Sequence, residues 1–134
     1  MSPFAAHLYQ LRQRLKLSQR ELAEQVGYEQ GLISALELDK KSPTDEFVEK
    51  LVCRFNLSLV EIEELRKLAR ISQRKYVIPA ETPPEAFHML HRLMNALPEL
   101  QLSEIRIFEE VLSLREQRPL ALKSVNGEEG RPKM

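Results

Sequence analysis

The chain has 134 residues, 43% of them hydrophobic and 30% charged, which suits one modest globular domain or a domain of about 70 residues with an appendage. Lys plus Arg and Asp plus Glu both number 20, so a bulk polycation is excluded and any grip on phosphate must come from where the cations sit. The lone Cys53 rules out an internal disulfide and fits a reducing compartment. No apolar run approaches the roughly 18 residues that span a bilayer, and the opening Met-Ser-Pro-Phe-Ala-Ala-His lacks the regions of a secretory signal. A cytoplasmic protein is expected.

The pattern predicts an all-α chain of seven helices. Ser2-Pro3 is a start signal, with Phe4, Leu8, Leu11 and Leu15 on one face of a first helix over about 3–15. Ser18 and Glu21 form a capping box for a second helix that ends at Gly27, burying Leu22 and Val26. A third helix over about 29–38 turns Ile33 and Leu36 inward, and a polar loop leads to Pro43. Thr44 caps a fourth helix, with Asp45 and Glu46 in its favourable first turn and Val48, Leu51, Val52 and Phe55 as its stripe. Cys53 lies near that stripe and reads as a packing residue. Ser58 and Glu61 make a second capping box, opening a fifth helix that buries Ile62, Leu65 and Leu68 or Ala69.

The first domain is thus expected over 1–70, with a linker at 71–81 where the period lapses. Thr82 would cap a sixth helix, which Pro98 ends, and a seventh runs from about 103 to 117. These two form a C-terminal helical hairpin over 82–117, and the punctuated polar stretch 118–134 reads as a flexible tail. The seventh helix carries two adjoining apolar stripes, and a helix apolar that far round is buried on more than one side. Phe87, Leu90, Met94, Ile105, Phe108 and Leu112 are therefore expected to form a homodimer interface; packing within one chain is the alternative.

The stretch Gln19 to Leu38 carries the functional reading. Two helices meeting steeply across a short turn need a small residue at the closest approach, and Ala23 supplies it. They need a residue that accepts positive φ, which Gly27 supplies, and inward apolar residues on both helices: Leu22, Val26, Ile33 and Leu36. With the Leu-Ala, Val-Gly, Ile-Ser and Leu-Glu pairs and the basic loop ending at Pro43, residues 4–69 resemble the Xre/Cro-type, phage-repressor-like helix-turn-helix domain, a five-helix fold.

That resemblance implies a sequence-specific regulator of transcription, more often a repressor, acting on double-stranded DNA. The third helix would lie in the major groove. Gln30 would pair with adenine, Ser34 would make a second contact, and Gly31 and Leu32 would face the bases, Leu32 against a thymine methyl. Gln19 would hold a phosphate at the start of the second helix, and Lys40 and Lys41 would bind the backbone. Arg12 and Glu37 match a structural ion pair, with a spare Arg12 N–H for phosphate. The chain departs from the family at Gly31, where a longer polar reader is common, and at Leu38-Asp39, where a polar residue and Gly are common. Asp39 would oppose phosphate unless paired with Lys40 or Lys41.

The neutral total, Gly31 and Asp39 keep a second reading open: an interaction module or antitoxin-like partner that retains the fold without strong DNA binding. His88 and His91, at i and i+3, lack a third ligand, so no metal or cofactor is expected. No phosphate loop, nucleophile elbow or paired-carboxylate constellation is present, and no enzyme is expected.

Overall fold

A computed structural model describes residues 1–117, so the expected tail lies outside the described residues. Within them the chain is all-helical and divides after Val77 into two units. The first holds α1 (Pro3–Arg14), α2 (Gln19–Val26), α3 (Gln30–Glu37), α4 (Asp45–Arg54) and α5 (Leu59–Ile71). The second holds α6 (Pro84–Ala96), a 3₁₀ turn (Leu97–Glu99) and α7 (Leu102–Glu116).

Side-chain caps start most of the helices of the first unit. Ser18 Oγ accepts from the Glu21 amide at 3.0 Å, and the Glu21 carboxylate accepts from the Ser18 amide at 2.8 Å. Thr44 and Ser58 cap α4 and α5 in the same way, through the amides of Phe47 and Glu61. The expected box at Ser58 is only half made. The Glu61 carboxylate turns instead to Arg14, at 2.7 and 2.9 Å, because a full counter-charge outcompetes a backbone amide.

Apolar side chains from all five helices meet in one core. Phe4, Leu8, Leu22, Ile33, Phe47, Leu51 and Leu65 are fully buried. Phe4 meets Phe47 edge-on at 6.4 Å, and Tyr28 leans on Phe47 from the turn before α3. α2 lies against α3 and α4, while α1 lies against α3 and α5. Val52, Leu68 and Phe55 are only partly covered, and Cys53, expected to pack, is exposed. Two residues past buried Leu51, Cys53 stands about 200° round the helix, on its far side.

The unit does not stop with α5. The first-turn amides of a helix have no intrahelical acceptors. In α1, Pro3 has none to satisfy, Ala5 donates to Ser2 Oγ, and Phe4 donates 2.9 Å to Ser72 Oγ, which is buried. Gln73 Nε2 then donates to the carbonyls of Pro43 and Ala69, and the Arg74 amide donates to Ser42 Oγ. The first part of the expected linker is therefore tied to the first unit.

In the second unit α6 starts at Pro84 with Pro83 before it, and no side chain caps it; the expected Thr82 cap is not made. Gln101 donates its amide to Glu104 at the start of α7. Neither α6 nor α7 has a buried residue. The two helices do not pack closely, and Phe108 reaches only a shallow depression shared with His88, Met89 and Leu93. The C-terminal helical hairpin expected over 82–117 consists of α6 and α7 joined by the 3₁₀ turn, with most of their apolar side chains uncovered. A hairpin offers each stripe only one partner, too little to cover a helix apolar on two sides.

Candidate nucleic-acid interface

The turn between α2 and α3 rests on two small residues. Gly27 takes φ 82°, a left-handed conformation that costs a Cβ-bearing residue 1–2 kcal/mol as an order of magnitude. It lets the Tyr28 amide return to the Ala23 carbonyl at 2.9 Å and close the end of α2. Ala23 is itself buried, where a longer side chain would hold the two helices apart.

The carboxyl end of α3 is fixed by a buried polar cluster. Glu37 accepts from Arg12 Nε at 2.8 Å and from Arg12 Nη2 at 3.1 Å, a two-pronged contact. Arg12 Nη1 donates to the Leu17 carbonyl, and the guanidinium lies 5.3 Å above the Tyr9 ring. The hydrogen bonds from Arg12 to Glu37 raise its pKa further, against the cost of burial, so Arg12 stays charged at every working pH. Glu37 takes a third bond, from Gln19 Nε2 at 2.9 Å. The amide expected at a phosphate is thus also a brace for α3. Ser18 covers the amide of Glu21 and its carbonyl takes that of Leu22, which leaves the Gln19 and Arg20 amides facing outward at the positive end of α2.

At the amino end of α3, Glu29 holds the cap position but makes no side-chain cap bond. Gln30 and Gly31 are exposed, and no atom lies within 4 Å of a Cβ built on Gly31. Leu32 and Ser34 are half-buried, and Leu32 packs on the edge of the core rather than standing clear of it. An open amino end, with a carboxamide at its first position, suits entry into a major groove.

After α3 the chain turns through Asp39 at φ 62°, a left-handed conformation that Asp tolerates. Its carboxylate accepts 2.7 Å from the Ser2 amide, a different pairing from the Lys40 or Lys41 contact the sequence suggested. Desolvation pushes that carboxyl up, but the Ser2 hydrogen bonds, the chain's amino group and Arg74 together hold it below its ordinary value. Lys40 and Lys41 are exposed beyond it. Charge is also unevenly spread along the chain. The stretch 1–77 holds thirteen basic against eleven acidic side chains, and 78–134 holds seven against nine.

The expected residues thus fall into two groups. Gln30, Gly31, Lys40 and Lys41 are exposed, whereas Arg12, Gln19 and Glu37 are joined in one bracing cluster. Arg12 and Glu37 lie together as a buried ion pair, with Nε 2.8 Å from the carboxylate. Sequence reasoning missed the Gln19 bond to Glu37 and the return of Arg74 to Ser42, both made between residues far apart in the chain.

Residues 8–62 match the family described as Helix-turn-helix, HTH_3. No curated protein and no solved structure matches the chain. With the turn at Gly27, the braced α3 and the five-helix core, that match identifies the first unit as an Xre/Cro-type helix-turn-helix domain, the DNA-binding domain of phage-repressor-like regulators.

Proposed function

We propose that the protein is a sequence-specific transcriptional repressor that binds double-stranded DNA as a homodimer, with the amino end of α3 in the major groove. The observation that carries the reading is the exposed pair Gln30 and Gly31 at the head of a helix whose other end is held by Arg12, Glu37 and Gln19. A helix must be held rigidly for a side chain on it to discriminate between bases. Gln30 offers one donor and one acceptor, the pair that adenine presents in the major groove. The Gln19 and Arg20 amides and Lys40 and Lys41 supply phosphate contacts beside it. The work of such a protein belongs to the cytoplasm.

Homodimerisation is supported by the second unit. Met94 is 61% exposed and Leu112 58%, with Phe87, Ile105 and Phe108 also open and Leu90 half-covered. Covering an apolar side chain of this size stabilises by about 1.5–3 kcal/mol, and a second copy offers the same stripes in return. A two-fold protein matches two half-sites about one DNA turn apart.

Selection of bound duplexes from a random pool tests binding, preference and half-site spacing together. On the selected duplex, Gln30→Ala should weaken binding by about 1–3 kcal/mol and relax preference at one base pair. Unchanged affinity and preference would overturn the role of Gln30. No shift of any duplex at low salt, with a stoichiometric protein partner instead, would favour the interaction module.

A further inference from the structure

Five of the thirteen cations of the first unit are already engaged. Arg12, Arg14, Arg20, Lys50 and Arg66 each face a carboxylate within 4.0 Å. Of the eight that make no such pair among the described residues, Lys40, Lys41, Arg74 and Lys75 are all exposed. The fold gathers them. Together with Ser42 and Gln73 they line one depression beside the loop that leaves α3. The gathering has an identifiable cause. The Arg74 amide donates 3.0 Å to Ser42 Oγ, and Gln73 Nε2 donates 3.0 Å to the Pro43 carbonyl, so the strand of chain after α5 is stitched onto the loop after α3. Both bonds leave the side chains of Arg74 and Lys75 free to turn outward. Four like charges held together cost self-repulsion that folding does not repay, which points to an anion as their partner.

We infer that this depression is a phosphate clamp for the duplex that α3 reads, with Arg74 and Lys75 gripping the sugar–phosphate backbone alongside Lys40 and Lys41. The inference rests on the DNA-binding reading and extends it to a segment outside the matched helix-turn-helix stretch. Location favours DNA over a free anion: Lys40 lies only three residues past Glu37, the last residue of the eight-residue α3. At 1.5 Å per residue α3 is about 12 Å long, so a duplex touching Gln30 comes within reach of the loop beyond the helix. Arg74 brings a planar fork suited to two phosphate oxygens, and Lys40, Lys41 and Lys75 bring point charges. Asp39, which precedes Lys40 in the chain, accepts from the Ser2 amide, and its single charge leaves the four cations in excess.

The test compares three full-length proteins: wild type, R74Q/K75Q and K67Q/R70Q. The last pair removes the same charge from exposed positions on α5, which line a different depression. Each is titrated with the selected duplex and an unrelated duplex of equal length across salt from about 50 to 200 mM, the range over which counterion release dominates. R74Q/K75Q should weaken both duplexes alike, by about tenfold near 0.1 M salt for each phosphate no longer gripped, and should flatten the log–log salt slope by about 1–2. Base preference should not change, and K67Q/R70Q should keep the wild-type slope. An R74Q/K75Q slope equal to wild type, or an equal weakening in K67Q/R70Q, overturns the clamp while leaving the regulator reading intact. Wild type that binds no duplex overturns both. Saturable binding of inorganic phosphate that R74Q/K75Q abolishes, with duplex binding unaltered, would assign the depression to a free anion and also overturn the clamp.

Discussion

Substituting Glu37 by Gln keeps the size of the side chain and removes its charge. In the folded protein the Glu37 side chain is 5% exposed and that of Arg12 11%, so neither ion can recover its hydration when the other is lost. Glu37 accepts three hydrogen bonds, two from Arg12 and one from Gln19. A carboxamide presents one oxygen and one NH2 group, so at least one of those donors would face another donor. Losing one member of a buried ion pair typically costs about 3–5 kcal/mol. The Leu17 carbonyl and the Tyr9 ring stay with the guanidinium, which sets the expected loss at the lower end, about 3 kcal/mol. For a domain of this size that lowers Tm by about 12–24 °C. All three tyrosines, Tyr9, Tyr28 and Tyr76, lie in the first unit and the chain has no Trp, so the tyrosine band of the near-ultraviolet ellipticity, at longer wavelength than the signal of Phe87 and Phe108, follows that unit. Removing both charges, in R12Q/E37Q, should cost less than the sum of the single changes, with a coupling of about 1–3 kcal/mol. A loss below about 1 kcal/mol for Glu37→Gln, or strict additivity in the double variant, would refute the claim that this pair braces α3.

The two glycines of the motif should respond in opposite directions. Gly31→Ala meets open space in a helix and should stabilise by about 0.5–1 kcal/mol, whereas Gly27→Ala must hold φ 82° and should destabilise by about 1–2 kcal/mol, both read by urea denaturation. Asp39, whose folded carboxyl lies below its ordinary value, contributes stability that is fully present above about pH 4 and is lost as pH falls through the folded value. The Tm advantage of wild type over Asp39→Asn should therefore shrink below pH 4, and a constant gap down to strong acid would refute it; the same variant, freed of a like charge, should bind DNA more tightly. In the second unit Phe108→Glu should turn a sedimenting dimer into a monomer at tens of micromolar protein, and a wild-type monomer there would refute the interface.

The five helices of the first unit were legible because four begin with a local capping signal and a glycine turn precedes α3. Ser2, Ser18, Thr44 and Ser58 cap amides three residues on, and Gly27 ends α2, so neighbouring letters suffice to place them. The Arg12–Glu37 contact was reached only through the family resemblance, since 25 residues separate the two. What stayed hidden is of that long-range polar kind. Ser72 to Phe4 spans 68 residues and Arg74 to Ser42 spans 32, and neither leaves a periodic trace. Glu61 shows the limit of local reasoning: its spacing from Ser58 fits a capping box, yet Arg14, 47 residues away, takes the carboxylate. Cys53 was misjudged although helix geometry could have placed it outward. At Gln30, residue type and position suggest a base reader, but the base it meets is a property of the DNA.

The seam that Ser72, Gln73 and Arg74 sew has a practical bearing on dissecting the chain. A fragment cut after Ile71 would keep every helix of the first unit and still be incomplete. The Phe4 amide would lose its buried acceptor, at about 1–3 kcal/mol, and the loop behind α3 would lose its stay. Cutting after Val77 preserves both, so a fragment of the first unit should run past Arg74, beyond the end of its last helix.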